Sequence, residues 1–206
     1  KIKNFPDNFQ NKIITINPLV KKSTYNLKSL DEIKDKLTLL IVGGSQGANI
    51  FDKNLKNLIV NISKTKQIKI IQQTTEKNIP YLNNFYSKNN IENKIFSFDK
   101  DFYKSLQQAD LCITRAGAST LAELSLMNIP FIAVPLPTSK DDHQFENANY
   151  YKINGCCWMI EQTSFEEKIE DLLKYIFNNK NDYLEKKKKK KKLNYQNTWI
   201  NVNQKI

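Results

Sequence analysis

What the sequence lacks excludes several classes of protein. Its apolar runs fall well short of the roughly 18 to 20 residues that span a bilayer, and its basic, asparagine-rich start does not resemble a secretory signal peptide. The three cysteines, Cys112, Cys156 and Cys157, match neither a disulfide framework nor a metal-binding spacing. We therefore predict a cytosolic protein whose thiols are buried and reduced.

The remaining composition is that of an ordinary globular domain. The chain has 206 residues, of which 40% are hydrophobic and 26% are charged. A chain of this length and hydrophobic content can bury one good core, with at most some appendages.

The positive charge is concentrated in one segment. The net charge is +11, and without the seven consecutive lysines of 186–192 it would fall to +4. Such a run is typical of a solvated helix end or a disordered tail, and the alternative is attraction to anionic phospholipid. The run has no interleaved aromatic residues or glycines, and the sequence contains no RNP, KH or zinc-finger pattern. We therefore expect no nucleic-acid partner.

Short apolar runs alternate with helical patterns along most of the chain. The run at 37–42 is typical of a strand covered on both faces, and the apolar residues of 55–62 recur at i, i+3, i+4 and i+7, as on a helix. Further strands are predicted at 68–71, 95–98, 111–114, 131–134 and 157–160. Further helices are predicted through Leu106 and Ala109 and over 119–127, 144–153 and 165–177. This alternation indicates an α/β fold with a Rossmann-like, doubly wound parallel sheet, whose ligands bind at the carboxyl ends of the strands.

We predict three segments along the chain. Residues 1–20 resemble the end of a preceding domain and its connection to the next one, and residues 21–180 contain the α/β domain. Residues 181–206 form a lysine-rich tail whose structure the pattern does not predict.

The first turn with candidate ligand groups is the GGSQGA motif at 43–48. It lies between a strand and a helix, where glycines permit a tight turn and the close approach of a ligand. The motif is neither a Walker A loop, because no Lys-Ser/Thr pair follows at the required spacing, nor G-x-G-x-x-G. The alternative is a glycine turn that only packs the strand against the helix.

The second turn, RAGAST at 115–120, breaks a strand with glycine and opens a helix. The free N–H groups at such a helix end attract phosphate. Glu123 lies four residues after Ser119 on the same helix face, where its carboxylate can accept hydrogen bonds from a ribose diol; a surface ion pair is the alternative. Arg115 is either a phosphate clamp or a solvated side chain.

The third turn follows the strand at 131–134. Gln144 and Asn147 are three residues apart on the next helix, and their amides are suited to sugar hydroxyls. His143 is the only histidine, and a lone histidine is more often incidental than catalytic. The acidic pair before it, Asp141-Asp142, has no second cluster with which to form a metal site.

The order and spacing of the three turns are more specific than any one of them. The GGSQGA motif, the RAGAST turn with Glu123, and HQFENA at 143–148 together resemble the donor-binding, carboxy-terminal domain of glycosyltransferase family 28, in particular its bacterial peptidoglycan N-acetylglucosaminyltransferases. Asn17-Pro18-Leu19-Val20 is similar to the Gly-Asn-Pro-Val connection between the two domains of those enzymes, although Ile16 replaces the glycine. The resemblance covers about 14–162.

The resemblance implies one half of a GT-B fold that binds UDP-N-acetylglucosamine. The implied contacts are Ser45 and Gln46 near the diphosphate and acceptor cleft, Phe98-Asp99 at the uracil, Ala118, Ser119 and Thr120 at the diphosphate, Glu123 at the ribose, and Gln144 and Asn147 at the sugar. It implies no metal and no cofactor, because the helix end stabilises the leaving diphosphate.

The implied reaction is an inverting transfer of N-acetylglucosamine to the lipid-linked MurNAc-pentapeptide precursor, lipid I to lipid II, at the cytoplasmic face of the bacterial inner membrane. In the family an amino-terminal domain supplies the acceptor site, the peripheral membrane surface and the general base. We expect the present chain, which lacks that domain, to bind the donor but to be inactive alone. The alternatives are the donor subunit of a split transferase completed by a membrane-bound partner chain, and a non-enzymatic basic binding module.

Overall fold

The structure is a computed structural model that describes Pro6, Asn8, residues 36–44 and residues 49–192, except for the side chains of 190–192. Two of the predicted ligand residues, Ser45 and Gln46, lie outside the described residues, as does the predicted interdomain connection at 1–20 apart from Pro6 and Asn8.

Six parallel strands form one sheet, in the order β3-β2-β1-β4-β5-β6. β1 is central, and its Leu40 lies between Ile71 of β2 and Cys112 of β4. The strands are β1 (Leu37–Val42), β2 (Ile68–Gln73), β3 (Glu92–Phe96), β4 (Leu111–Thr114), β5 (Phe131–Ala133) and β6 (Trp158–Met159). The predicted doubly wound parallel sheet is therefore confirmed.

Helices connect the strands and cover both faces of the sheet. They are α1 (Asn49–Ser63), α2 (Ile79–Lys88), α3 (Phe102–Gln108), α4 (Ala118–Leu126), α5 (His143–Ile153), α6 (Phe165–Asn178) and α7 (Lys180–Lys192). Short 3-10 turns at Glu76–Asn78, Lys140–Asp142 and Gln162–Ser164 precede α2, α5 and α6.

Alternate residues of β1 belong to two hydrophobic cores, one on each face of the sheet. Leu39 and Ile41 belong to a core with α1, α2 and α6, whereas Leu40 and Val42 belong to a core with α3, α4 and α5. Each fully buried leucine or isoleucine contributes about 1.5 to 3 kcal/mol. This two-sided burial explains why β1 is an apolar run without alternation. All three cysteines are buried, as predicted, and none of them forms a disulfide bond.

The largest differences from prediction concern three elements. β3 spans Glu92–Phe96 rather than 95–98, and neither α2 nor α7 was predicted. β3 is an edge strand, so Glu92 and Lys94 are exposed and the strand has no continuous apolar run. The exposed Lys36 and the partly exposed Lys69 both pair with Glu92 and hold its pKa at about 2, the hydrogen bond from Lys36 having the largest effect.

The lysine-rich segment begins as a helix that crosses the amino edge of the sheet. The buried Tyr183 of α7 donates a hydrogen bond of 2.6 Å to the carbonyl of Asp110, just before β4. Trp158, at the start of β6, donates a bond of 3.0 Å to Asp182, and the Nζ of Lys186 lies 4.8 Å from the centre of the Trp158 ring. These contacts anchor the first half of α7 to the sheet. Within the described part of the chain, no helix has the length and apolar content needed to cross a membrane.

Candidate functional site

A cavity of about 720 Å³ opens at the carboxyl edge of the sheet. It lies where β1, β2 and β3 end and α4 begins, which is where doubly wound sheets bind ligands. Its volume is within the range of about 300 to 1,000 Å³ that is usual for small-molecule sites. The lining residues are Val42 and Gly44 after β1, Gln73, Thr74, Thr75 and Glu76 after β2, Phe96, Ser97, Phe98, Asp99 and Phe102 around the end of β3, and Thr120 and Glu123 on α4.

The α4 wall presents the beginning of a helix. Its N-cap residue, Gly117, is extended, with φ −68° and ψ 132°, and has no side chain with which to cap the first N–H groups. Ala118, Ser119 and Thr120 form the first turn, and Thr120 lines the cavity. The N–H groups of a first helical turn and the helix dipole favour an anion. All three predicted diphosphate-binding residues therefore lie in the turn that is suited to this role.

Glu123 is half-buried on α4 and lines the same cavity. It lies three residues after Thr120, a rise of about 4.5 Å along the helix. A carboxylate at that depth can accept hydrogen bonds from hydroxyl groups next to an anion bound at the helix end. In a nucleoside diphosphate the ribose lies next to the phosphates, so the arrangement matches such a ligand.

Gln73 joins the ends of three adjacent strands at the floor of the cavity. Its Oε1 accepts a bond of 3.1 Å from the N–H of Gly44, after β1, and its Nε2 donates a bond of 3.2 Å to the carbonyl of Ser97, after β3. Gly44 has a φ of +79°, a left-handed conformation that glycine adopts without strain. Gln73 follows no motif in the sequence, because its contacts join three separate turns.

The loop after β3 is held by Asp99. This carboxylate is 13% exposed and accepts bonds from Lys94 (2.6 Å), the Asp101 N–H (2.9 Å) and Ser105 (3.2 Å). Burial acts to raise the pKa of Asp99, but the bonds from Lys94 and Asp101 outweigh it, so the pKa lies below its usual value. The neighbouring Phe98 is 77% exposed at the cavity, which gives this loop an aromatic surface beside a fixed backbone.

Arg115 points away from the cavity. Its guanidinium donates to the carbonyls of Val134 (3.2 Å) and Pro135 (3.4 Å) and to Oε1 of Gln162 (2.5 Å), and lies 5.3 Å from the centre of the Phe51 ring. Burial lowers the pKa of this guanidinium. Arg115 thus braces the segment after β5, and it is not among the residues that line the cavity. Its function as a phosphate clamp stays a prediction.

Gln144 and Asn147 lie on α5 and reach the turn before α4. Gln144 Oε1 accepts bonds from the N–H groups of Ala116 (3.2 Å) and Leu136 (3.0 Å), and Asn147 Nδ2 donates a bond of 3.0 Å to the carbonyl of Ala116. Neither residue lines the cavity as found. The structure thus joins both amides to the predicted diphosphate turn, and their contact with a sugar stays a prediction.

His143 is exposed at the start of α5. Its Nδ1 lies 2.7 Å from the carbonyl oxygen of Lys140, a local contact within the turn before the helix. Within residues 36–44 and 49–192, no group of three or more histidine, cysteine, aspartate or glutamate side chains is arranged to hold a metal ion.

A buried polar network supports the wall that follows β2. Asp52 of α1 accepts bonds from Gln72 (2.7 Å), Thr74 (2.5 Å) and Asn78 (2.8 Å), and Tyr86 donates a bond of 2.9 Å to Gln72. Burial, with a smaller contribution from the negative charge of Asp52, raises the pKa of Tyr86. This network could not be predicted from the sequence, since its members are separated by up to 34 positions and follow no motif.

The hydroxyl of Thr75 is an exception in this wall. Its Oγ1 is buried and has no hydrogen-bond partner among the residues that the structure describes, although Thr75 lines the cavity. A buried hydroxyl without a partner loses free energy that a ligand group could restore.

The charged side chains found in the described lining are three carboxylates, Glu76, Asp99 and Glu123. Asp99 is paired with Lys94. Among the described residues, an anion that enters can therefore be held by backbone donors such as those of the α4 helix end. A helix end at the carboxyl edge of a parallel sheet, beside a carboxylate for hydroxyl groups, is the arrangement of a nucleotide-binding α/β domain.

Comparison with known proteins agrees with this class. A family profile described as the glycosyltransferase family 28 C-terminal domain matches residues 38–198. A Pelagibacter ubique protein named UDP-N-acetylglucosamine--N-acetylmuramyl-(pentapeptide) pyrophosphoryl-undecaprenol N-acetylglucosamine transferase is 47% identical over the whole chain, which spans 58% of that protein. A Wolbachia protein of the same name, from the Brugia malayi strain, is 40% identical over 73% of the chain and 44% of its own length.

Two solved structures are also similar to this chain. The crystal structure of Acinetobacter baumannii MurG aligns with a TM-score of 0.71 and 25% identity, over 82% of this chain and 50% of that one. The C-terminal CMP-Kdo binding domain of WaaA from the same species aligns with a TM-score of 0.59 and 8% identity, over 77% of this chain and 89% of that one, and therefore shows likeness of fold alone.

The chain belongs to the glycosyltransferase family 28 C-terminal domain family, as the profile match over 38–198 and the 47% identical relative show. It spans about half the length of the curated relatives that it matches.

Proposed function

We propose that this chain binds UDP-N-acetylglucosamine as the donor half of an inverting glycosyltransferase, which transfers N-acetylglucosamine to the lipid-linked MurNAc-pentapeptide precursor in peptidoglycan synthesis. The observation that carries the proposal is the cavity at the start of α4, with Glu123 one turn from the helix end. The names of the relatives supply the identity of the donor and acceptor.

The nucleotide is proposed to bind along the cavity from β3 to α4. The backbone around Phe98-Asp99 takes the uracil, and Asp99 keeps that loop fixed through its bonds to Lys94 and Asp101. Glu123 accepts hydrogen bonds from the ribose hydroxyls. The N–H groups of residues 118–120 take the diphosphate, because the described lining offers no cationic side chain for it.

The sugar is proposed to lie beyond the diphosphate, toward α5. The amide ends of Gln144 and Asn147 that do not bond to Ala116 are proposed to bind the sugar there. They are a donor on Gln144 and an acceptor on Asn147. Ser45 and Gln46 are proposed to border the diphosphate and the acceptor cleft.

The chemistry that this half supplies is stabilisation of the leaving group. As the acceptor hydroxyl attacks the anomeric carbon, the bond to the diphosphate breaks and negative charge develops on UDP. N–H groups already aimed at that position lower the barrier without having to reorganise. The general base and the acceptor site are proposed to lie in the part of the enzyme that this chain does not span, in the same protein or in a partner chain, so this chain alone is proposed to be inactive.

Calorimetric titration of the 206-residue chain with UDP and with UDP-N-acetylglucosamine tests the proposal. We expect both to bind, and ADP to bind more weakly because the uracil contacts are lost. Absence of UDP binding at millimolar ligand would overturn the proposal. A steep dependence of duplex or RNA affinity on salt concentration would instead support a basic binding module.

A further inference from the structure

The backbone of Ala116 is held at both of its polar groups by α5. Gln144 accepts a hydrogen bond from the Ala116 N–H at 3.2 Å, and Asn147 donates one to the Ala116 carbonyl at 3.0 Å. These partners fix the orientation of both amides, because an N–H requires an acceptor and a carbonyl requires a donor. Ala116 itself is fully buried, so neither of its groups can turn to water instead.

The same oxygen of Gln144 ties together two separate ligand turns. It also accepts the N–H of Leu136 at 3.0 Å, in the segment that leads from β5 to α5. The preceding residue adds a second connection, since the Arg115 N–H donates to the carbonyl of Val42 at the end of β1. The turn before α4 is thus connected to β1, to the segment after β5 and to α5.

Ala116 directly precedes Gly117, the N-cap residue of α4. The carbonyl of Ala116 lies in the peptide group that joins these two residues, so the bond from Asn147 restrains the peptide group that leads into Gly117 and the N–H groups of residues 118–120. Glycine has no side chain to restrain that hinge, so the restraint must come from the neighbouring peptide. An anion site made of backbone donors is effective only if those donors are held in place before the ligand arrives.

We infer that Gln144 and Asn147 are positioning residues for the nucleotide's diphosphate, acting through Ala116, in addition to any contact with a sugar. The inference rests on the proposed function for the identity of the ligand. It differs from a purely sugar-reading function in one measurable respect: the affinity for UDP, which has no sugar beyond the ribose, must depend on both side chains.

The test compares Gln144→Met and Asn147→Ala with the unsubstituted 206-residue chain, each titrated with uridine, UDP and UDP-N-acetylglucosamine. We expect each variant to lose roughly tenfold in UDP affinity, while uridine affinity stays within about twofold. Because both act through the backbone of one residue, the double variant should lose less than the product of the two single losses.

Matched control variants carry the same chemical changes elsewhere. Gln108→Met removes an exposed glutamine that accepts from Lys69, and Asn154→Ala removes an asparagine that donates to the carbonyl of Tyr150 at the other end of α5. We expect UDP affinity to be unchanged in both. A tenfold loss in either control would mean that the effect is general loss of stability, and would overturn the inference.

Two other outcomes would also contradict the inference that Gln144 and Asn147 are positioning residues. If UDP affinity is retained in both variants and only the gain from UDP to UDP-N-acetylglucosamine disappears, the two amides are sugar ligands and not positioning residues. If the unsubstituted chain does not bind UDP, the proposed function fails first and the inference with it.

A measurement on the unsubstituted chain avoids dependence on the folding of the variants. Amide hydrogen exchange should find the N–H groups of Ala116 and Leu136 protected before any nucleotide is added, with little further protection on UDP binding. Rapid exchange of both in the free protein would show that the turn is not held in advance, which would contradict the inference.

Discussion

Among single residues, Glu76 and Glu123 form a natural pair for comparison. Both carboxylates line the cavity, Glu76 after β2 and Glu123 on α4. A nucleoside diphosphate is anionic, so a carboxylate nearby weakens its binding unless that carboxylate accepts hydrogen bonds from the ligand itself. Only Glu123 lies one turn from the proposed diphosphate site.

We expect Glu123→Ala to weaken UDP binding by about ten- to a hundredfold, corresponding to about 1.5 to 3 kcal/mol, because two hydrogen bonds from the ribose to a charged acceptor are lost. The variant should also lose most of its preference for UDP over 2′,3′-dideoxy-UDP. Titration of both proteins with both nucleotides gives a double-mutant cycle that isolates this contact.

Glu76→Ala is the control for cavity charge. Removing a carboxylate that does not bind the ribose should leave UDP affinity unchanged or raise it slightly. A coupling energy of zero between Glu123 and the ribose hydroxyls would remove Glu123 from the proposed site, as would an equal loss of affinity in Glu76→Ala.

Among the elements, the loop between β3 and α3 depends on an ionised carboxylate. Because the pKa of Asp99 is lowered in the folded protein, its contribution to stability is present above the unfolded pKa of about 3.9 and is lost as the pH falls through the folded value. We expect Asp99→Asn to lower the free energy of unfolding at pH 7, and the difference from the unsubstituted chain to shrink below about pH 4. Urea denaturation at several pH values measures this.

Asp101→Asn is the matched control for that loop. Asp101 pairs with Lys104 three residues along, and both side chains are more than half exposed, so the variant should change stability little at any pH. A stability difference for Asp99→Asn that stays constant from pH 7 to pH 3 would contradict the assignment of a lowered pKa.

Helix α7 depends on one buried hydroxyl. Tyr183→Phe leaves the carbonyl of Asp110 without that donor, and we expect the free energy of unfolding to fall by about 1 to 3 kcal/mol. UDP affinity should be unchanged, because the contact lies at the amino edge of the sheet. Tyr150→Phe, at a tyrosine that is 47% exposed, should have little effect on stability. Equal stability of the two variants would mean that the Tyr183 hydroxyl does not anchor α7.

The elements that could be predicted are those whose burial produces a regular pattern. β1 and β4 are covered on both faces, and their apolar runs predicted the observed bounds. β3 is an edge strand whose first residues are exposed and polar. The apolar run therefore predicted its start three residues too late. α7 could not be predicted, because its lysine run has no apolar periodicity and Tyr183 is held by a residue 73 positions away.

The site was predictable only where topology determines it. The rule that ligands bind at the carboxyl ends of parallel strands identified the turns that carry Gly44, Thr120 and Glu123, and these now line one cavity. Direction of side chains was not predictable. Arg115 faces the carbonyls of Val134 and Pro135 rather than the cavity, because burial beside β5 supplies acceptors that the sequence does not reveal.

In the molecule as a whole, the lysine-rich helix α7 and the cavity lie at opposite edges of the sheet. The lysine-rich α7 is anchored near Asp110 and Trp158 at the amino edge, whereas the cavity opens beyond Gly44 at the carboxyl edge. Six residues of β1 separate the two edges, a length of about 20 Å. That is more than twice the Debye length of about 8 Å at physiological salt.

We therefore expect replacement of lysines 187–192 by glutamine to leave UDP affinity within about twofold at physiological salt. Lys186 is kept, because it packs on Trp158 and pairs with Asp182. Glutamine preserves helix propensity while removing the charge. Titration with UDP measures the result, and a tenfold loss with the fold intact would show that the lysines act at the site.

The central position of β1 also affects how the protein is made. Thr38 of β1 pairs with Asp110 beside β4, 72 residues later, so one edge of this apolar strand has no partner until that segment has been synthesised. At about 5 to 20 residues per second, translation leaves that edge bare for roughly 4 to 14 s. An unpaired apolar edge is a template for aggregation. During this interval the stability of the finished sheet cannot protect that edge from pairing with another chain.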